Sequence, residues 1–375
     1  MRLGVPKETA EAERRVALIP DVAGALIKAE HEVAVEPGAG DSAGHPDEQY
    51  SEVGAKLDAA AAWDAEAVLK VSPPSSEEIG RLRSGQVVIG FLAPLTAGET
   101  TKALAGAGVT SFAVEAIPRT TRAQSMDALS SQANTAGYMA AIIAAREAGR
   151  FFPMLTTAAG TVAPAKVLVL GAGVAGLQAV ATAKRLGAVV TGFDVRMAVK
   201  EQVESLGGRF LVVDAVKDAE AEGGYARPLT EEENEAVREA LAKAASGQDI
   251  VITTAQIPGR PAPLLITADA VRSMEPGSVI VDLAGESGGN CELTEFGQTV
   301  EEGGVKVISP PNLPSEMAAH ASQLYAKNLQ NMVELLAPEG ELKLDFEDEI
   351  IAGACITHEG QIRHEGAEEA TKVSG

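Results

Sequence analysis

Cysteine is almost missing from these 375 residues: Cys291 and Cys355 are the only two, and no CxxC pair occurs. A disulfide framework and a thiolate zinc site are thereby excluded. Basic residues are scarce as well, 31 Lys and Arg against 53 Asp and Glu, a formal net charge of −22. Nucleic acid and anionic membrane surfaces reward clusters of Lys and Arg, so neither is an expected partner. The five histidines (His31, His45, His320, His358, His364) form no HExxH or other close ligand pair, and no metal site is expected. No apolar run reaches the length of a membrane span, and the start, MRLGVPKE, lacks the apolar core of a signal peptide. The expectation is a soluble protein of a reducing, cytoplasmic compartment without direct membrane insertion.

What is present is α/β patterning over a length that calls for about two domains. MRLGVP, HEVAVEP, AVLKVS, QVVIGFLAP and TSFAVEAI read as short strands, with helical pieces such as DVAGALIKAE between them. From Asp127 the pattern turns helical: Leu129, Ala133, Ala136, Ala140 and Ile143 recur at spacings of four and three, and the segment ends near Gly149. A second Rossmann-like run starts at Lys166 and continues through DIVITTAQ, GSVIVDLA and VKVISP; another helix follows from about 314 to 336. The fold expected is two Rossmann-like domains with parallel sheets, joined by two long helices around a cleft. Residues 1–126 with 316–375 make one domain, and 127–315 make a nucleotide-binding domain.

The strongest motif is GAGVAG, residues 171–176, placed directly after the strand 166–170 and opening a helix. Gly171 permits the tight turn, Gly173 lets backbone approach a pyrophosphate, and Gly176 lets helix and strand pack closely. The intervening Ala172, Val174 and Ala175 place their backbone at the helix N-terminus, where N–H groups and the dipole favour phosphate. The next strand ends in Asp194, 23 residues after Gly171. An acid there accepts ribose hydroxyls and repels a 2′-phosphate, so NAD(H) is favoured over NADP(H). Val195 and Arg196 follow it, with the Arg expected over the adenine or in solvent.

RTTRAQSMDALSSQ, residues 119–132, gathers Arg119, Arg122, Gln124, Asp127, Ser130 and Gln132 without a lysine or glycine. One reading is an ordinary helix start, with Ser125 as N-cap and Asp127 gaining a few tenths of a kcal/mol from the helix dipole. Arg119 and Gln124 are harder to assign that way, because a loop after Pro118 has no propensity need for them.

VPKE…ERRVALIP, KVLVLGAGVAGLQAVATAKRLGA, FDVR, ITTAQIPGRPAP and PGSVIVDLA resemble the alanine dehydrogenase and transhydrogenase superfamily along nearly the whole chain. RAQSMDALSSQ, AAGTVAPAKVLVLGAGVAG, EGGYA and ESGGNCELT are more narrowly similar to the NAD(H)-binding components (domain I, the alpha-1 subunit) of proton-translocating NAD(P) transhydrogenases. That resemblance implies that Arg119, Gln124, Asp127 and Ser130 surround the nicotinamide. It implies further that Ala255, Gln256, Ile257 and Pro258 line the nicotinamide side, and that Tyr225 sits on a mobile loop closing over NAD(H). The partners it implies are an NADP(H)-binding component, a membrane-spanning subunit that places this chain peripherally on the cytoplasmic face of the inner membrane, and a second copy in a homodimer.

Alanine dehydrogenases of this superfamily bind substrate with an Arg and a Lys, matched here by Arg15 and Lys70, and carry a catalytic His. Here that position is Ala93, and an Asp expected in the VDLA loop is replaced by Glu286. Hydride passed between two nicotinamide rings needs no general acid or base, whereas amino-acid oxidation does. The departure therefore favours a transhydrogenase component over an amino-acid dehydrogenase; a non-catalytic NAD-binding module is the third reading.

Overall fold

The structure, a computed structural model, describes residues 1–216 and 227–373. The chain divides into two compact units, Met1–Gln132 with Pro314–Gly375, and Ala133–Leu313. The divisions fall six residues later and two residues earlier than the 126/127 and 315/316 limits drawn from the sequence, and the first lies inside the helix Ala128–Glu147.

The first unit is built on an eight-stranded sheet. From one edge the strands run Gln361–Ile362, Cys355–His358, Thr110–Ala113, Val87–Gly90, Ala67–Leu69, Arg2–Val5, Glu32–Val35 and Lys56–Leu57. The six from Thr110–Ala113 onward are parallel to their neighbours, and the two C-terminal strands add antiparallel at the edge. The central strands are buried along their whole length, as VVIG and AVL suit a parallel sheet covered on both faces. The helix Pro20–Lys28 starts on a proline with Asp21 in its first turn and finishes with Lys28.

The second unit carries a seven-stranded sheet in the order Arg209–Phe210, Val189–Phe193, Lys166–Leu170, Ile250–Thr253, Val279–Asp282, Val305–Ile308 and Thr299–Glu302, antiparallel only at the last pair. Strand order reverses between Lys166–Leu170 and Ile250–Thr253. In open α/β sheets the carboxyl ends at such a reversal form the ligand crevice. The exposed hairpin Leu155–Thr157/Gly160–Val162, absent from the sequence reading, forms a separate two-stranded sheet.

The apolar face expected on the helix from 127 holds at Ala136, Ala140 and Ile143 and fails at Leu129. Leu129 is exposed, while Ala140, Ala141, Ile143 and Ala144 enter the second unit's core. Gly137 explains how closely that helix approaches its neighbour: a Cβ there would lie 2.0 Å from the carbonyl oxygen of Ala175. The C-terminal helical stretch is two pieces, Leu313–Glu316 and Ala318–Leu336. Among the described residues, no helix is long and apolar enough to cross a membrane, and no group of acidic, His or Cys residues is placed to hold a metal ion.

Candidate dinucleotide site and polar patch

Strand Lys166–Leu170 delivers the glycine turn to the reversal point of the second unit's sheet. Gly171 has φ +90°, in the left-handed region, and its carbonyl accepts from the Thr254 hydroxyl at 2.9 Å. A Cβ at Gly176 would lie 1.8 Å from that same carbonyl oxygen, so the helix Val174–Arg185 can lie against the turn only with glycine there. Gly173 is the helix N-cap, and a Cβ built on it would meet only the Arg196 guanidinium, at 4.0 Å. Ala172 is buried, Ala175 is half-buried, and Val174 is exposed at the helix start. The turn thus combines a tight backbone packing, open space beside Gly173 and an uncapped helix N-terminus.

Asp194 closes the second strand and is 8% exposed. Its carboxylate accepts the Ala172 N–H on Oδ2 at 2.8 Å, and the Arg196 N–H on Oδ1 at 2.9 Å. The Arg196 side chain then adds a bidentate pair, Nε to Oδ1 at 2.9 Å and Nη2 to Oδ2 at 2.8 Å. Arg196 therefore lies on the Asp194 carboxylate, whereas the sequence placed it over the adenine or in solvent. Val195, between them, packs half-buried against the apolar core under the sheet.

The loop after strand Ile250–Thr253 presents Ala255, Gln256, Ile257 and Pro258. Ala255 is held from both sides by Asn290, which accepts its N–H at 3.0 Å and donates to its carbonyl at 2.9 Å. Gln256 donates to the Leu283 carbonyl, while Ile257 and Pro258 are exposed. Asn290 is itself fixed by Asp282, a fully buried carboxylate accepting from the N–H groups of Ala284, Asn290 and Cys291 and from the Thr294 hydroxyl. Asp282 and Asn290 were not singled out from the sequence. The signal was the Asp of VIVD, an acid ending an otherwise apolar strand. Glu286, in the same segment, is exposed. Tyr225 lies outside the described residues.

In the first unit the polar patch is more ordered than a loop. Thr121–Met126 is a 3₁₀ turn anchored by buried Ala123 and Met126, and it carries Gln124 on its exposed side; Arg119 precedes it, also exposed. Asp127, not Ser125, caps the following helix: it accepts the Ser130 N–H at 2.8 Å and the Ser130 hydroxyl at 2.6 Å. The Ser125 carbonyl is held by Asn328 instead. Arg122 pairs with Asp348 at 2.6 Å. Gln132 is buried, accepting from Arg15 Nη1 at 2.9 Å and donating to the Ala321 carbonyl.

Two buried cations belong to the same unit. Lys70, 1% exposed, stands between Glu8 at 3.1 Å and Glu78 at 2.8 Å. Burial alone would push the Lys70 ammonium down, but the two carboxylates outweigh it and hold its pKa above the ordinary value. Burial raises the Glu8 carboxyl; at Glu78 burial acts the same way but is overcome by the hydrogen bond and charge of Lys70. Arg15 makes a fork with Glu13, through Nε at 2.8 Å and Nη2 at 2.7 Å. Ala93 adopts φ +50°, and the Leu92 and Ala93 N–H groups both donate to Glu115 Oε1, at 2.8 and 2.7 Å. Glu115 Oε2 is enclosed with no hydrogen-bond partner among the described residues, and burial pushes that carboxyl up.

Residues 4–136 match the alanine dehydrogenase/PNT N-terminal domain, and residues 140–365 the alanine dehydrogenase/PNT C-terminal domain. The chain belongs to the alanine dehydrogenase/PNT family. It is 48% identical to the first part of the NAD(P) transhydrogenase subunit alpha of Rhodospirillum rubrum, over 97% of this chain and 98% of that one. It is 33% identical to the alanine dehydrogenase of Halomonas elongata, over 99% and 96%. The solved transhydrogenase structure from Sinorhizobium meliloti superposes with a TM-score of 0.86 at 46% identity, covering 97% of this chain and 99% of that one.

The residues of this family member fit a dinucleotide on their own geometry. The space beside Gly173 admits a phosphate to the helix N-terminus, and Asp194 is the carboxylate at the end of the second strand.

Proposed function

We propose that this chain is the NAD(H)-binding component of a proton-translocating transhydrogenase, and that it supports direct hydride transfer between NAD(H) and NADP(H) held on a partner component. The observation that carries the reading is Ala93. A dinucleotide turn is present, yet the dehydrogenase histidine position is an alanine whose N–H is tied to Glu115. A reaction that moves hydride between two rings and no proton between substrate heavy atoms tolerates that loss; oxidation of an amine does not. The identity of 48% to a transhydrogenase subunit, against 33% to an alanine dehydrogenase, points the same way.

In this reading the Gly171–Gly176 turn and Asp194 bind the pyrophosphate and adenosine ribose of NAD(H), and Ala255–Pro258 line its nicotinamide side. Arg119, Asp127 and Ser130 orient the carboxamide and nearby ribose, and Gln124, neutral and both donor and acceptor, reaches toward the second nucleotide. Bound NAD(H) supplies the transferable hydride; the chain's role is to hold the ring and exclude water. Asp127 commits its carboxylate to Ser130, which presets both side chains.

The partners proposed are an NADP(H)-binding component, a membrane-spanning subunit that places this chain peripherally on the cytoplasmic face, and a second copy. The exposed hairpin Leu155–Thr157/Gly160–Val162, with Met154 63% exposed beside it, is an apolar surface consistent with a homodimer. Retention of Arg15 and Lys70 favours a second reading, a soluble amino-acid dehydrogenase. Both cations, however, are already matched by Glu13, Glu8 and Glu78. Assaying the purified chain with its NADP(H)-binding component for hydride transfer, and alone for pyruvate- and ammonia-dependent NADH oxidation, separates the two.

A further inference from the structure

We infer that Arg196 is a built-in competitor for the ribose position of the dinucleotide site, and that it sets both the affinity for NADH and the margin against NADPH. The inference rests on the NAD(H)-binding reading above.

A carboxylate offers about four lone-pair directions. At Asp194 all four are taken: by the Ala172 N–H, the Arg196 N–H, Arg196 Nε and Arg196 Nη2, at 2.8 to 2.9 Å. The two backbone donors are fixed by the fold and leave one direction on each oxygen. The two guanidinium donors fill those remaining directions with the bidentate geometry that the side chain can also give up. Ribose hydroxyls donate to a carboxylate in the same manner, so they reach Asp194 only when the Arg196 side chain has left it. The guanidinium also lies beside the open space at Gly173, the closest atom to a Cβ placed there.

Two consequences follow from charge. The Asp194 side chain is 7% exposed and the Arg196 side chain 21%, so the fork is largely shielded from water and ribose hydroxyls displace it at a cost in affinity. Once displaced, Arg196 remains two residues from Asp194 as a cation near the ribose, where it offsets part of the repulsion that Asp194 alone exerts on a 2′-phosphate. Arg196 therefore weakens NADH binding and narrows the discrimination against NADPH at the same time.

The test uses the full chain and titrates NADH and NADPH calorimetrically against wild type, Arg196→Gln and Arg196→Lys, with circular dichroism melts as a folding control. Arg196→Gln, which removes the fork, binds NADH more tightly, by about fivefold, and NADPH no more tightly, so the selectivity ratio rises. Arg196→Lys, which keeps the charge but loses the fork, falls between. In the wild-type protein the Arg196 Nε–H proton, followed by NMR, is protected in the free state and exchanges faster on adding NADH. Unchanged or weaker NADH binding in a folded Arg196→Gln protein, or an Arg196 Nε–H that stays protected with NADH bound, overturns the inference. Failure of the wild-type chain to bind NADH at all overturns the underlying reading instead.

Discussion

At the residue scale, Gln124 separates a chemical role from a structural one. It sits on the exposed side of the Thr121–Met126 turn, whose hold on the protein comes from Ala123 and Met126. Gln124→Asn shortens the side chain by one methylene and leaves that anchor intact. In the reconstituted system it should slow hydride transfer by roughly ten- to a hundredfold, the scale of a misplacement of about an ångström. NADH affinity and melting temperature should stay near wild type; a matching loss of stability would assign Gln124 to the scaffold. Glu115 gives a pH prediction. Its carboxyl is raised by burial, so the folded protein holds a proton over a range where the unfolded chain has lost it. That contribution is fully present below the ordinary glutamate pKa and is lost as pH rises through the folded value. Glu115→Gln keeps an oxygen for the Leu92 and Ala93 N–H groups. Its melting temperature relative to wild type should therefore climb as pH rises above the ordinary glutamate pKa. Parallel melting curves for the two proteins across that range would contradict the assignment.

At the scale of elements, the glycine turn was legible because its three glycines act through backbone alone. The sequence spacing says what the geometry shows: a left-handed Gly171, open space at Gly173, and a Gly176 whose missing Cβ lets the helix touch the turn. Gly176→Ala should cost about 1–3 kcal/mol in denaturant unfolding, as overpacking against backbone does, and should weaken NADH binding because the helix N-terminus must move. Unaltered stability would mean that the helix can shift freely there. The polar patch was only half legible. Composition showed that RTTRAQSMDALSSQ is unusual, but the Arg122–Asp348 pair and the Gln132–Arg15 contact depend on partners up to 226 residues away. Neither periodicity nor motif carries such pairings. The same applies to Asn290 and Asp282, which shape the Ala255–Pro258 loop from another strand's end, and to Leu129, which the helical period placed on the apolar face and which is exposed.

At the scale of the whole molecule, both sheets follow from alternating apolar strands and helices. The short edge strand Lys56–Leu57 escaped because two residues carry no pattern. The family is fixed by matches to both of its domains, and the roles of the site residues are for chemistry to decide. Lys70 and Arg15 show why: they keep the residue types of a substrate site while buried among Glu8, Glu78 and Glu13. Removing one member of such a buried pair is strongly destabilising, so their retention has a sufficient structural cause. The most direct test of the central claim is a single-turnover measurement that mixes this chain, loaded with NADH, with an NADP(H)-binding component carrying an oxidised NADP analogue. Rapid hydride transfer that requires both proteins is expected, with no NADH oxidation by pyruvate and ammonia when this chain is alone. NADH binding without transfer to the partner-held nucleotide, or turnover of pyruvate and ammonia by the isolated chain, would contradict it.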